Sequence, residues 1–589
     1  MKRFLFCAAL AALTGLSCPG IAAEGSAPAS VPFAAAVKQD GKWGAVDGEG
    51  RWIISPAYDK IALSLSDKDT REQDLESEPG RDLLIEVRQG KLRGFYDRAG
   101  KEIIPVSYIS RSSWTDGALA VENEQEKILF YRKDGTRIGK IYNQVSDFKN
   151  GMAIIKENGK YGYLASDGSE IAPVYEEARY FADGLAPVKT KGLWGVIDAQ
   201  GNTVVDPVYR DTGPFYSDGL LAVKNKEDLW GFIDETGAET IPLTYRSVIP
   251  AFSEHLTAVQ DQNKRWGFAD SEGNITADPQ FAAVLTPFSE GLAGVATVDG
   301  NAYVRPDGTT AFAADYERLF PFEGGIAEVG KGEVRPAGVS GGFPISIGIG
   351  WGWGGRHHHR RHSPGWGWGI GFPIWSNPPY TGYEPISTIA VKRGYIDNTG
   401  KVIAAPSLSQ VFKASEKGIL VFNDSRYGWV NRSGVYIAHT VYKALIPKEE
   451  ANALIGKDEE NRWGVLSMET GQEEIPFLYK EIRYLGENLF AYKADGKWGL
   501  IGKDGKPVTE AVYRDVSLLS EGLLPVKTKD GWKYIAPDGS DRIAPEKLFS
   551  EALPFSGGRA GVKLNGKWGL IDTEGRFVLP ASYEQLTVL

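Results

Sequence analysis

The 589-residue chain has only two cysteines, Cys7 and Cys18, both near its start. A chain exported without them has no disulfide and must be held by its core alone. Of six histidines, four lie between 357 and 362, which leaves His255 and His439 isolated and gives histidine-based catalysis few candidates. After residue 23 no apolar run approaches the eighteen or more residues that a membrane-spanning helix requires. The net charge of −10 and a pI near 5.4, with no basic stripe, argue against a nucleic-acid partner. No Gly-x-Ser-x-Gly elbow, phosphate loop, His-Glu-x-x-His or dinucleotide fingerprint occurs. Paired carboxylates meeting in a groove, as in glycosidases, are what the motifs leave open to an enzyme. The chain reads as non-enzymatic, without cofactor or metal.

Lys2 and Arg3, an apolar run over 4–16 and the small-residue end Gly20-Ile21-Ala22-Ala23 form a secretory signal over residues 1–23. This predicts an exported protein, periplasmic or extracellular. Lipidation at Cys18 is the alternative, although Gly15-Leu16-Ser17-Cys18 lacks leucine three residues before the cysteine.

What is present is a repeat. Trp194, Trp230 and Trp266 stand thirty-six residues apart, and Trp463, Trp498, Trp532 and Trp568 keep nearly that period. A fixed period of this size means units that bury their apolar faces against their neighbours. Within one unit, Leu185-Ala186-Pro187-Val188-Lys189 and Leu193-Trp194-Gly195-Val196-Ile197-Asp198 are too short for helices and alternate like strands. Asp198-Ala199-Gln200-Gly201 is a turn in which the Asp bonds the backbone two residues on and Gly takes a positive φ. A third strand, 202–205, ends at Asp206-Pro207. The tryptophans read as packing residues. The glycine beside each lets another backbone or ring approach closely. The carboxylates at the first turn position (Asp47, Asp97, Asp198, Asp234, Asp270, Asp397, Asp572) read as turn formers rather than a cation array, because other units put Ala165, Arg305, Asn431, Gly502 or Ala536 there.

The pattern Lys-Trp-Gly-x-Ile-Asp-x-x-Gly-x-x-Ile-x-Pro-x-Tyr, with a Phe-x-Glu-Gly-Leu-Ala link, resembles the bacterial WG-repeat family. The resemblance covers nearly all of the chain beyond its N-terminus. Such repeats are mostly of undetermined function, so it implies an architecture and no catalytic residue.

Composition departs from the repeat at two places. Residues 64–81 are charged and aperiodic and read as a solvated loop. Residues 338–384 are rich in Gly, Trp and His. There Gly-Ile-Gly-Trp-Gly-Trp-Gly at 348–354 is mirrored at 365–371. An antiparallel hairpin with this symmetry places Trp351 opposite Trp368 and Trp353 opposite Trp366, on an apolar face of alternating residues. Its basic tip holds His357 and His359. Such a face marks contact with a membrane, a glycan or a partner, or a lid over the repeats. A lone hairpin cannot span a bilayer, because its edges would leave backbone groups unpaired.

These observations predict an all-β fold of thirteen or fourteen β-meander units of about thirty-five residues, three strands each, stacked as an elongated solenoid. The alternative is two propeller-like arrays split by the insert. The organisation is a signal over 1–23, repeat arrays over 37–337 and 385–589, and the insert over 338–384. The expected function is that of an exported scaffold binding a protein partner at the cell envelope. The alternative is adhesion to glycan or membrane through Trp351, Trp353, Trp366, Trp368, His357 and His359.

Overall fold

The computed structural model describes residues 33–64, 84–332, 334–336, 386–388, 392–546 and 548–588. The signal segment, Cys18 and the six insert residues Trp351, Trp353, Trp366, Trp368, His357 and His359 lie outside them, as does nearly all of the charged stretch 64–81.

Local chemistry sets the repeating element. The unit around Trp194 comprises strands a (Glu177–Ala178), b (Leu185–Thr190), c (Leu193–Asp198) and d (Thr203–Tyr209), paired antiparallel in that order. Three strands were expected. The fourth is a two-residue strand in the link, too short to show periodicity, and it pairs Ala178 with Val188. Strand d slips register against c between Trp194–Tyr209 and Val196–Val205. At that bulge the chain folds over the glycine: a Cβ on Gly195 would lie 2.5 Å from the Val205 carbonyl oxygen and 2.8 Å from the Pro207 nitrogen. The Trp-Gly signature follows, since only glycine admits this approach. Proline suits the bulge, where an N–H would face Cα rather than an acceptor.

Fourteen such units, here called blades 1–14, follow one another. In blade 12 the d segment is irregular and is held by the Trp498–Tyr513 and Ile501–Pro507 bridges. Among the described residues the only helical element is a 3-10 turn, Glu449–Ala451.

The architecture differs from the expected solenoid. Gln585–Val588, the last strand, pairs antiparallel with Phe33–Gln39, the first strand in the described chain, and supplies strand a of blade 1. Buried side chains form fourteen clusters among the described residues, one at every junction between successive blades. The fourteenth packs Leu570, Leu579 and Tyr583 of blade 14 against Ala35, Val37 and Val46 of blade 1. A solenoid of fourteen units has thirteen junctions, so the fourteenth closes the array into one propeller-like ring. The propeller-like alternative is met in kind, as one ring of fourteen blades rather than two arrays, and the insert interrupts a blade instead of dividing rings. Ile326–Lys331 before it and Lys392–Asp397 after it are strands b and c of blade 9 and pair directly. Blade 9 is thus completed some sixty residues after Lys331.

Chain direction assigns the turns to two faces. The a–b and c–d turns share one, and the b–c turns and d–a links share the other. On the first face the a–b turns of several blades hold the next. Glu254 accepts the N–H groups of Glu290 (2.7 Å) and Gly291 (2.9 Å), and Glu290 accepts that of Gly325 (2.8 Å). Ser253, Ser289 and Ser520 each donate to a phenylalanine carbonyl of the following blade. The Phe-x-Glu-Gly-Leu link is therefore an inter-blade clasp.

Candidate binding surfaces of the ring

The repeated side chains are engaged within the fold. Trp194 is 3% exposed. Lys189 lies 5.8 Å from its ring centroid on one side, and Arg179 stands 4.3 Å away while reaching Asp211 of the next blade at 2.9 Å. Blade 12 repeats this with Arg483, 4.1 Å from Trp498 and 3.1 Å from Asp515. These tryptophans present no open platform and behave as packing residues.

The turn carboxylates are engaged as well. Asp198 Oδ1 accepts the N–H groups of Gln200 (2.9 Å) and Asn202 (2.8 Å), and Asn202 Nδ2 donates to Oδ2 (2.9 Å). The Asn202 side chain, with the backbone donors, outweighs the opposing effect of burial and holds Asp198 below the usual carboxylate range. Thr236 does the same for Asp234. Asn431, with a neutral acceptor, makes the same two backbone contacts. Where the first turn position is Ala165, Arg305 or Ala536, the carboxylate moves to the third, and Asp167, Asp307 and Asp538 accept from the residue two further on. The turn conserves a local acceptor rather than a position. Among the described residues no three metal-ligating side chains converge.

One charged cluster was not anticipated. Glu86, 2% exposed in strand b of blade 2, meets Arg88 (2.8 Å), Arg93 (3.3 Å) and Arg111 of blade 3 (2.9 Å). Burial pushes its pKa up, but Arg111 and Arg88 more than compensate and hold it below its ordinary value. The signal was in the sequence. Blades 2 and 9 carry Arg93 and Arg393 in place of the tryptophan, and both place a glutamate at the strand b position held by Pro187 in blade 5. Glu328 pairs with Arg393 at 2.8 Å. The first also ties blade 2 to blade 3 through Arg111, and both read as structural.

Among the described residues, what is left outward is the turn tips and the outer faces of the d strands. Val334–Pro336 pairs with Ile386–Thr388 as a two-stranded stem at the b–c turn of blade 9. The insert therefore leaves the ring on the b–c face.

The closed ring of four-stranded antiparallel sheets places the protein in the β-propeller class. Ten segments (43–63, 136–161, 162–194, 194–228, 230–264, 266–300, 463–498, 498–532, 546–568 and 568–588) match the WG containing repeat, together about half the chain, and the protein belongs to that family. No curated protein matches the sequence. Among solved structures, BamB from Moraxella catarrhalis is similar at 12% identity over 47% of this chain and 92% of its own, with a TM-score of 0.21. Hsv2 from Kluyveromyces lactis is similar at 13% identity over 43% and 90%, with a TM-score of 0.20. The extracellular domain of the putative one component system BT4673 from B. thetaiotaomicron aligns at 12% identity over 96% of this chain and 83% of its own, with a TM-score of 0.20. At such scores the ring rests on its own strand pairing.

Proposed function

We propose that the ring is a non-enzymatic, exported scaffold that binds a protein partner at the cell envelope. The observation that carries this reading is a division of labour within each blade. The repeated Trp, Gly and Asp hold the framework, while the tips between them change from blade to blade: Ala199-Gln200, Glu235-Thr236, Ser271-Glu272, Asn398-Thr399, Arg432-Ser433. A constant frame with variable tips suits a broad contact surface better than chemistry at one centre. Photo-crosslinkers placed singly at Gln200, Glu235 and Glu272 in cells test it. One discrete protein adduct shared by neighbouring tips supports the reading, and absence of any adduct at all three counts against it.

The stem at blade 9 favours a second reading, adhesion to glycan or membrane through the insert, because the strands on either side of the insert pair at a single b–c turn. Co-sedimentation with isolated cell envelopes, comparing the full chain with one lacking residues 341–377, tests it. Pelleting of the full chain alone makes the insert the anchor.

A further inference from the structure

Strand d of a blade ends in a three-residue step on the b–c face: an outward residue, an aromatic, and the residue that starts the next blade. The third position normally serves the fold. Asp59, Glu176, Glu317 and Glu584 accept the backbone N–H of Gly90, Gly192, Gly332 and Gly41 in the following b–c turn. Arg210 is tied to Asp228 at 2.7 Å.

Three consecutive blades depart from this. Blades 10, 11 and 12 end in Val441-Tyr442-Lys443, Leu478-Tyr479-Lys480 and Val512-Tyr513-Arg514. The leading aliphatics are 52%, 66% and 50% exposed. A lysine cannot accept an N–H, so Lys480 leaves the Gly496 turn without the carboxylate cap that Glu176 supplies to its counterpart. Lys443 is tied to the following turn, donating to the Glu459 carbonyl (2.5 Å) and to Asn461 Oδ1 (3.4 Å). Elsewhere an exposed aliphatic at this step comes with a neutral third residue, or with Glu176 or Arg210, whose charges are matched within the fold. A single exposed valine needs no explanation. Three in register, each followed by an aromatic and a cation, with Lys480 and Arg514 exposed, do. Blades 10–12 also adjoin blade 9, whose stem leaves on the same face.

We propose that this sector of the b–c face docks on an anionic lipid surface, with Val441, Leu478 and Val512 entering the headgroup boundary and Lys480 and Arg514 facing lipid phosphates. The tyrosines pack into the inter-blade cores, and the aliphatic and cation on either side of each match two layers of such an interface, apolar depth and charged headgroup. Neighbouring sheets stack roughly 10 Å apart, so the three steps span a patch wide enough for several headgroups. The site belongs to the ring and does not depend on the protein-binding reading or on the insert.

The test is flotation of the purified full chain with vesicles of phosphatidylcholine alone or mixed with phosphatidylglycerol, repeated in a Trp351→Ser/Trp353→Ser/Trp366→Ser/Trp368→Ser background to separate out the insert. The Lys480→Ser/Arg514→Ser variant is expected to lose roughly thirty-fold in binding to anionic vesicles, two cations at the usual strength of attraction to an anionic leaflet. Leu478→Ser is expected to lose several-fold. All are surface changes, and unchanged thermal melting verifies the fold. Equal binding of variant and parent overturns the proposal, as does equal binding to neutral and anionic vesicles. Capture on polyglutamate that depends on Lys480 and Arg514, without vesicle binding, also overturns it and makes the sector a site for an acidic polypeptide. None of these outcomes bears on crosslinking at the turn tips.

Discussion

Gly195 shows how one residue commits a blade. Its missing Cβ is what allows strand d to bulge across strand c, with the Val205 carbonyl oxygen 2.5 Å from where that carbon would be. Gly192, three residues earlier, has a φ of +79° and open space around it. The two glycines are needed for different reasons, one for space and one for conformation. Gly195→Ala is expected to cost about 1–3 kcal/mol by overpacking, and Gly192→Ala about 1–2 kcal/mol through left-handed backbone strain. Hydrogen exchange of the amides in blade 5, compared with blade 11 as an internal reference, reads both losses. The signature was legible in the sequence because the demand for space is met within one blade. The pairing of Glu86 with Arg93 was harder to read, because its meaning depends on which residue faces which across two strands.

At the scale of the element, the c–d turn is a self-contained device, a carboxylate folded onto the N–H groups two and four residues on. Since Asp198 and Asp234 titrate below the usual range in the folded ring, their contribution is fully present above the unfolded value near pH 3.9 and is lost as pH falls through the lower folded value. The melting temperature should therefore stay level from neutrality down to about pH 5 and fall below about pH 4. Replacing Asp198, Asp234 and Asp270 by Asn, which keeps a side-chain acceptor as Asn431 does, should blunt that fall. A scan of melting temperature against pH checks both. The same locality made the turns readable from sequence, whereas strand a was invisible: two residues have no period, and Glu177–Ala178 becomes a strand only because strand b lies beside it.

For the whole molecule the decisive contact is between its ends. Ala35, Ala36, Val37 and Lys38 pair with Val588, Thr587, Leu586 and Gln585, and Glu584 reaches the N–H of Gly41. No covalent bond closes the ring, so the fourteenth junction is held by one short strand and its core. Deleting residues 585–589 should open it, giving a larger radius of gyration by small-angle scattering and earlier exchange in blades 1 and 14 than in blades 6 and 7. An unchanged radius with uniform exchange would show that the remaining packing at that junction closes the ring without the strand.

The sequence by itself determined the all-β class, the period, the turn chemistry and the packing role of the tryptophans, because each depends on residues within about ten positions of one another. That the interruption falls between two strands of one blade was not legible, because only the pairing of Ile326–Lys331 with Lys392–Asp397 shows it. Tertiary structure alone decided between solenoid and ring. That choice rests on the small rotation between successive blades, a sum of inter-blade contacts such as Ser253 to Phe288, and on whether residue 586 comes home to residue 37. No local pattern encodes a pairing between positions at opposite ends of the chain.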